Sequence, residues 1–445
     1  MTTSLLTDLY ELTMLEASLH SGVAMRQSSF EVFARALPPG RRYGVVAGIG
    51  RLVEAISEFR FSRDDLEYLK GSRHLKPQTI EYLSDFRFSG NVWSYEEGET
   101  YFPLSPILRV EAPFGQALLL ETLALSILNF DSAVASAGAR MVSASGSRRL
   151  VEMGSRRIHE RAAVSAARAA YIVGFAATSN LKAGQLYSIP ITGTVAHAFM
   201  LAHEDERGAF AAQIAAQGPQ TTVLVDTYDI EAAIRDAISV AGTSLGAIRI
   251  DSGDPAKEAR RARGLLDHLG AVDTQIVISG DLDEYSIDEL SHEPIDGFGV
   301  GTRLVTGSGF PTANFVYKLV AIQQTESGML IPVSKASEAK ATLGGRKFPW
   351  RVINSDNKAV MEYLQVIDSP VGNKTVFHSE KLRPLQKQII KDGEAVLATR
   401  LDDIRLMHRD SLRELGDSAM EIVSGRPALD TTVLDSKGNL KSASS

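Results

Sequence analysis

Between residues 137 and 320, short apolar runs recur at the spacing of alternating strands and helices, and no other pattern in the chain restricts its fold as tightly. The strand candidates are Tyr187–Thr192, Thr222–Val225, Ala247–Ile250, Gln275–Ser279 and Gly297–Val300. Runs such as TTVLV and IVIS are continuously β-branched or apolar, which is how strands covered on both faces read. Between them, Ile230, Ile234, Ala237 and Ile238 mark one helix face, and Ala259, Ala262, Leu265, Leu266 and Leu269 mark another. Strand then helix, repeated, implies an α/β fold with a parallel sheet, doubly wound or closed into a barrel. Each of the last four strands ends in a polar or glycine-rich loop: Asp226-Thr227, Asp251-Ser252-Gly253-Asp254, Ser279-Gly280-Asp281 and Gly299-Val300-Gly301-Thr302. Barrel enzymes place their chemistry at that end, so an irregular (β/α) barrel is the expected form.

The flanks read differently. Residues 28–115 are richer in Pro, Gly and aromatics, and residues 325–400 hold short strand-like runs, among them Ala359–Leu364 and Thr375–Phe377. Together they predict a second, β-containing α+β sandwich-like domain made from N- and C-terminal segments. The expected division is an N-terminal helix over 1–20, the first part of the sandwich over 21–136, the barrel over 137–325 and the second part over 326–445. The tail from Asp430 is polar and is expected to fray.

Composition excludes several classes. The chain of 445 residues has no cysteine, hence no disulfide, thiolate metal site or cysteine nucleophile. A formal net charge of -7 argues against a nucleic-acid footprint. The N-terminal MTTSLLTDLYELTM carries two acids and no basic segment, unlike a signal peptide, and no run of 18 apolar residues is present. A cytoplasmic enzyme is the expectation. Gly48-Ile49-Gly50 lacks the third glycine and the βαβ setting of a dinucleotide fingerprint, and no GxxxxGK[ST], HExxH or GxSxG occurs.

Chemistry concentrates in a few places. Ser188–Thr192 is expected to be a buried strand that ends at Gly193-Thr194 and hands over to a helix-like segment carrying His197. A glycine and a hydroxyl at a strand end let a ligand approach the backbone, and an imidazole one turn on can act as base or nucleophile. A lone histidine among nine is nonetheless more often structural. Arg249 inside an apolar strand needs a partner. Its fork suits a carboxylate or phosphate, and Asp251 suits ribose hydroxyls or a metal-bound water; an internal Arg249–Asp251 pair explains both residues equally well. Asp254 before Pro255 makes a good N-cap. The glycines of the loops after Ser279 and Gly299 expose backbone N–H groups that could share one phosphate, or serve only as turns. Arg148-Arg149 and Arg156-Arg157 are expected to bracket an amphipathic helix, as a solvated face or as an anion clamp. These residues alone stop at a barrel enzyme handling a phosphorylated small molecule.

From near residue 5 to about residue 350 the chain also resembles nicotinate phosphoribosyltransferases, a family of type II phosphoribosyltransferases. The resemblance runs through LLTDLYELTM, FEVFARALPPGRRYGVVAGI, RVEAPFGQALLLETLALSILNF, EMGSRRI, GFAATSNLKAGQLYSIPITGTVAHAF, IRIDSGD, VISGDLDE, GFGVGT and FVYKLV, in order. It implies condensation of nicotinate with 5-phosphoribosyl diphosphate to nicotinate mononucleotide and diphosphate in NAD salvage. It further implies coupling to ATP hydrolysis and a need for Mg²⁺, held by the diphosphate and water. Position by position, His197 resembles the family's phosphorylated histidine. Thr194, Arg249 and Tyr10 resemble nicotinate contacts, with Tyr10 reaching in from the neighbouring subunit of a homodimer. Arg157 is a further candidate for the carboxylate, Asp251 resembles a ribose contact, and Gly280, Gly301 and Thr302 resemble the 5-phosphate nest.

A nicotinamide enzyme would need an acceptor for the amide NH₂, and no carboxylate lies between Tyr187 and His203; Arg249 and Thr194 are donors, as nicotinate requires. The alternatives are a nicotinamide- or quinolinate-type transferase and a non-catalytic ligand-binding relative. Three positions depart from the family pattern: Ala176-Ala177 for Asp-Gly, Ala198 for Ser, and Lys335, Ser337 and Lys340 followed by Gly344-Gly345 without the usual Pro.

Overall fold

The computed structural model describes residues 3–325, 328–335, 343–366, 380–396, 400–434 and 440–443. Thr375–Phe377, Ser337 and Lys340 lie outside the described residues. The chain divides into two compact units, Met1–Ser136 with Thr312–Ser445, and Ala137–Pro311.

The Ala137–Pro311 unit is the α/β one. Its six parallel strands are β1 (Arg149–Glu152), β2 (Ala177–Thr178), β3 (Thr222–Leu224), β4 (Ala247–Ile250), β5 (Gln275–Gly280) and β6 (Gly297–Val300). They lie in the order β2-β1-β6-β5-β4-β3. The sheet curls as a half-barrel, and its ladder stays open between β2 and β3. Alternation sorts the side chains. On β4, Ile248 and Ile250 are buried while Arg249, between them, faces the other way. Val277 of β5 sits opposite Arg249, and Gly297 of β6 opposite Val277, so one face of three adjacent strands carries small or polar groups.

The connecting helices start on acids. Asp229 accepts from Ala232 N–H at the head of Ile230–Ala241. Asp254 accepts from the N–H groups of Ala256 and Lys257 at the head of Pro255–His268. Asp283 and Ser286 form a capping box at the head of Glu284–Glu289. Each cap satisfies amide donors that the first helical turn leaves open. Ala233, Ile234, Ala237 and Ile238 are the buried face of one helix, and Ala259, Ala262 and Leu266 that of another.

Three sequence expectations need correction. Ser188–Thr192 is not a buried strand: Ser188 takes a left-handed backbone (φ 56), Ile189 alone is buried, and Pro190, Ile191 and Thr192 are exposed. The segment touches the free edge of β2 at the single bridge Thr178–Ile191. The stretch between the two arginine pairs is not a helix; it is strand β1 and the turn after it. Within the strand Leu150 and Glu152 are the buried positions, a period of two that four residues are too few to reveal. The tail from Asp430 does not fray at once, because Thr431–Leu434 pairs parallel with Ala359–Val366 and antiparallel with Leu440–Ser442.

In the other unit, N- and C-terminal segments interleave. Its larger sheet runs Leu330–Pro332, Phe315–Gln323, Gln27–Ala34, Leu108–Pro113, Asn91–Tyr95, Gln386–Lys391 and Glu394–Ala395. Phe30 stacks on Tyr317 at 4.9 Å across one such seam. The smaller sheet centres on Lys347–Ile353 and Ala359–Val366. Arg351, fully buried, donates to Glu362 Oε1 (2.6 Å) and Glu99 Oε1 (3.1 Å), and Arg383 donates to Glu99 Oε2 (2.8 Å). Two guanidinium groups outweigh burial and hold the Glu99 carboxyl down at about 2. The helical stretch Phe114–Ser145 is long and apolar enough to cross a membrane by length and composition, yet 67% of its most apolar window is buried within the chain, the position of a core helix.

Candidate active site

The carboxyl ends of β1, β4, β5 and β6 and the segment Gly193–His197 enclose one cavity of about 520 Å³. Strand alternation explains its contents. Arg249 and Asp251 are two residues apart and share a face, as do Val277 and Ser279 beside them.

Arg249 is the centre of the floor. Its Nε donates to Ser279 Oγ (2.7 Å), Nη1 to Thr194 Oγ1 (2.9 Å) and Nη2 to Asp251 Oδ1 (2.8 Å). Among the described residues three of the five guanidinium N–H groups are used, which leaves two for a ligand. The side chain is 13% exposed, so its charge is fixed in place and little screened. Ser279 accepts from Arg249 and donates to Asp251 Oδ1, closing the triangle. Burial pushes the Asp251 carboxyl up, but the Ser279 and Arg249 hydrogen bonds and the Arg249 charge outweigh it and leave the group below its ordinary range. Asp251 is therefore an anion at neutral pH, and among the described residues nothing bonds its Oδ2.

His197 opens the short helix His197–Leu201, and its Nε2 lies 3.2 Å from Asp226 Oδ1. The Asp226 side chain is 1% exposed and His197 43% exposed, so the carboxylate is fixed and the imidazole reaches into the cavity. Asp226 is fixed by its other oxygen, which accepts from Asp251 N–H (2.9 Å) and Ser252 Oγ (2.7 Å). A carboxylate at Nε2 keeps the proton there and leaves the Nδ1 lone pair open. Among the described residues Nδ1 has no hydrogen-bond partner.

At the other end, the loops after β5 and β6 present backbone. Gly280 has φ +145, a conformation that side-chain-bearing residues rarely adopt, and a Cβ there would meet the Asp251 carbonyl oxygen at 3.7 Å, an ordinary contact. A Cβ on Gly299 would come 2.7 Å from Met153 Sδ, so a larger residue there requires the Met153 side chain to move. Gly301 and Thr302 complete the lining. Arg156 and Arg157, both exposed, stand at the rim in the turn after β1.

His197, Arg249, Asp251, Arg157, Thr194, Gly280, Gly301 and Thr302, all singled out in the sequence, thus line one cavity. Tyr10 is not among the lining residues. It lies in the other unit, on the helix Leu9–Ser21, 43% exposed, and burial together with Glu121, Glu11 and Asp8 pushes its phenol up to about 12. Sequence reasoning missed the bridging roles of Asp226 and Ser279; the available signal was only that each stands at a strand end. For Mg²⁺, no group of three His, Asp or Glu among the described residues could hold a metal. The free oxygen of Asp251 is the fitting acceptor for a cation that arrives with its own ligands.

Comparison with known proteins places both parts of the chain beside described families. Residues 5–129 match the nicotinate phosphoribosyltransferase N-terminal domain, and residues 148–347 match the nicotinate phosphoribosyltransferase family. A nicotinate phosphoribosyltransferase of Mycobacterium tuberculosis is 51% identical over 438 residues, covering 97% of this chain and 95% of its own length. The Bacillus subtilis nicotinate phosphoribosyltransferase is 40% identical over 83% of this chain and 78% of its own. The crystal structure of human nicotinic acid phosphoribosyltransferase superposes with a TM-score of 0.83 at 25% identity, covering 97% of this chain and 98% of that one.

Proposed function

The chain belongs to the nicotinate phosphoribosyltransferase family, and on that premise we propose that it condenses nicotinate with 5-phosphoribosyl diphosphate, giving nicotinate mononucleotide and diphosphate, with ATP hydrolysis coupled through His197. The observation that supports this best is Arg249. Arg249 lines the cavity beside the Thr194 hydroxyl, with two N–H groups that no described residue engages, and together they suit the carboxylate of a pyridine acid.

The roles follow from the geometry. Nicotinate rests its carboxylate on Arg249, with Arg157 as a second cation at the rim. Its ring nitrogen displaces diphosphate at the anomeric carbon of the ribose; the C–N bond forms as the C–O bond breaks, and the electron pair leaves with diphosphate. Asp251 accepts from the ribose hydroxyls, and its negative charge favours the oxocarbenium character of the transition state. Gly280, Gly301 and Thr302 hold the 5-phosphate by backbone N–H groups and a hydroxyl. Mg²⁺ carried by the diphosphate would meet the free oxygen of Asp251, and when bound it offsets charge on the leaving group.

His197 supplies the coupling. With its proton held at Nε2 by Asp226, Nδ1 attacks the terminal phosphorus of ATP; the N–P bond forms, the bond to ADP breaks, and ADP leaves. The new charge sits at the mouth of the cavity and orders it for the substrates until the phosphoryl group is hydrolysed. We also assign a cytoplasmic homodimer in which Tyr10 of one subunit serves the site of the other. Exposed Leu6, Leu9, Tyr10 and Met14 at the N-terminal helix support that assignment.

Incubation with γ-labelled ATP and Mg²⁺, before and after nicotinate and phosphoribosyl diphosphate are added, tests the mechanism. Wild type is expected to take up acid-labile label and discharge it as nicotinate mononucleotide appears, and His197→Ala to take up none. Undiminished product from unlabelled His197→Ala would overturn the coupling and leave His197 structural.

A further inference from the structure

The two backbone loops at the phosphate end of the cavity come from neighbouring strands, and below the surface their far ends are tied to each other. The loop after β5 runs Asp281–Asp283 into the helix Glu284–Glu289. The loop after β6 runs through Gly301 and the helical turn Thr302–Val305 to Gly307–Gly309. Ser308 of the second donates to Glu284 Oε2 of the first at 2.6 Å. The other oxygen, Glu284 Oε1, accepts from Arg140 Nε at 3.2 Å, and Arg140 also packs over the Tyr285 ring at 5.6 Å. Arg140 and Glu284 are each 2% exposed. A buried charge pair of this kind is rigid, because either partner alone is costly.

Ser308 itself is held in an unusual state, with φ 53 and ψ 45 inside a helical turn. A serine in the left-handed region persists only where its surroundings hold it there, and here the bond to Glu284 does so. A second cross-loop contact, Arg303 Nε to Asp281 Oδ2 at 3.5 Å, is solvent-exposed and therefore weak. The Ser308–Glu284 contact, anchored on a buried carboxylate, fixes the spacing.

We propose that Glu284 is a positioning residue for the phosphate end of the site: through Ser308 it sets the separation of the Gly280 and Gly301 loops, with Arg140 locking its orientation. This rests on the reading of those loops as the 5-phosphate nest. Glu284 does not line the cavity, so it acts on the substrate only through the loops.

The test compares wild type, Ser308→Gly, Glu284→Gln and Gly301→Val for binding of ribose 5-phosphate by calorimetry, and for KM and kcat. Ser308→Gly removes the hydroxyl without left-handed strain, so it folds even if Glu284→Gln, which leaves Arg140 without a counter-charge, does not. The expected result for Ser308→Gly is a rise of roughly five- to tenfold in the ribose 5-phosphate Kd and in KM for phosphoribosyl diphosphate, the scale of one lost hydrogen bond. KM for nicotinate, kcat and Tm are expected to stay near wild type, a split that a general loss of structure would not give. Gly301→Val fills the nest and is expected to abolish binding. If Gly301→Val binds ribose 5-phosphate like wild type, the nest reading fails and the proposal with it. If Gly301→Val loses binding while Ser308→Gly keeps it, the nest stands and the positioning role is overturned.

Discussion

At the residue scale the site depends on where one proton sits. Under the proposed coupling, Asp226, 3.2 Å from His197 Nε2, holds the imidazole proton there and leaves Nδ1 to act as the nucleophile. Asp226→Asn keeps size and an acceptor for the Asp251 amide. It also points an NH₂ at Nε2, which moves the imidazole proton to Nδ1 and removes the lone pair. Label uptake from ATP is expected to fall by about 100-fold or more, with the fold intact by circular dichroism. Arg249→Lys tests the fork. A lysine retains the charge but cannot reach Thr194, Ser279, Asp251 and a substrate carboxylate together, so KM for nicotinate is expected to rise about 10- to 100-fold while KM for ATP changes little. The two interpretations of Arg249 and Asp251 that the sequence left open are not alternatives in the structure. The pair exists, and both partners keep free valence toward the cavity.

At the element scale, strands followed by acid-capped helices were legible because each cue is local. A β-branched run, an aspartate and an apolar stripe at helical spacing lie within about a dozen residues of one another. Asp254→Ala removes one such cap from Pro255–His268 and is expected to cost about 1 kcal/mol in urea unfolding. What stayed illegible depends on distant surroundings. The apolar residues of Ser188–Thr192 suggest burial, yet the segment lies along an open sheet edge and exposes most of them. The strand Arg149–Glu152 is short, charged at both ends and flanked by arginines, so it carries no legible period. Likewise the His197–Asp226 contact joins residues on different elements, and only the path of the intervening helix Glu206–Gln217 brings them together. The glycines at Gly280 and Gly301 announced exposed backbone; that Glu284 and Ser308 tie their loops together did not show, because a carboxylate and a serine are ordinary surface residues until buried.

At the scale of the whole molecule, stability should depend on pH through a group that does not line the candidate site. His408 stands in a polar stretch of sequence but is 3% exposed, and its Nδ1–H donates to Gly98 O at 2.8 Å. Its Nε2 is buried with no hydrogen-bond partner among the described residues, and burial pulls the imidazole down from 6.5 to about 4. Between those values the unfolded chain binds the proton and the folded chain does not. The contribution is therefore intact above 6.5 and declines as pH falls toward 4, by up to about 3 kcal/mol. Urea unfolding between pH 4.5 and 6.5, above the range where Glu99 contributes, is expected to show a shallower pH slope for His408→Asn than for wild type. A slope that does not change would mean that other groups govern acid sensitivity. The interleaved sheet has one further consequence, for a chain still being made. Ala34 pairs with Phe315, and Gln388 with Trp93. At roughly 5–20 residues per second a ribosome needs on the order of 15 to 60 s to travel from the first of these partners to the second. Through that interval Gln27–Ala34 has an apolar strand edge without its neighbour, while residues 137–311 emerge as an uninterrupted stretch. Nascent chains should therefore acquire protease resistance over 137–311 first, and the amino-terminal strands should be the part that holding chaperones shield.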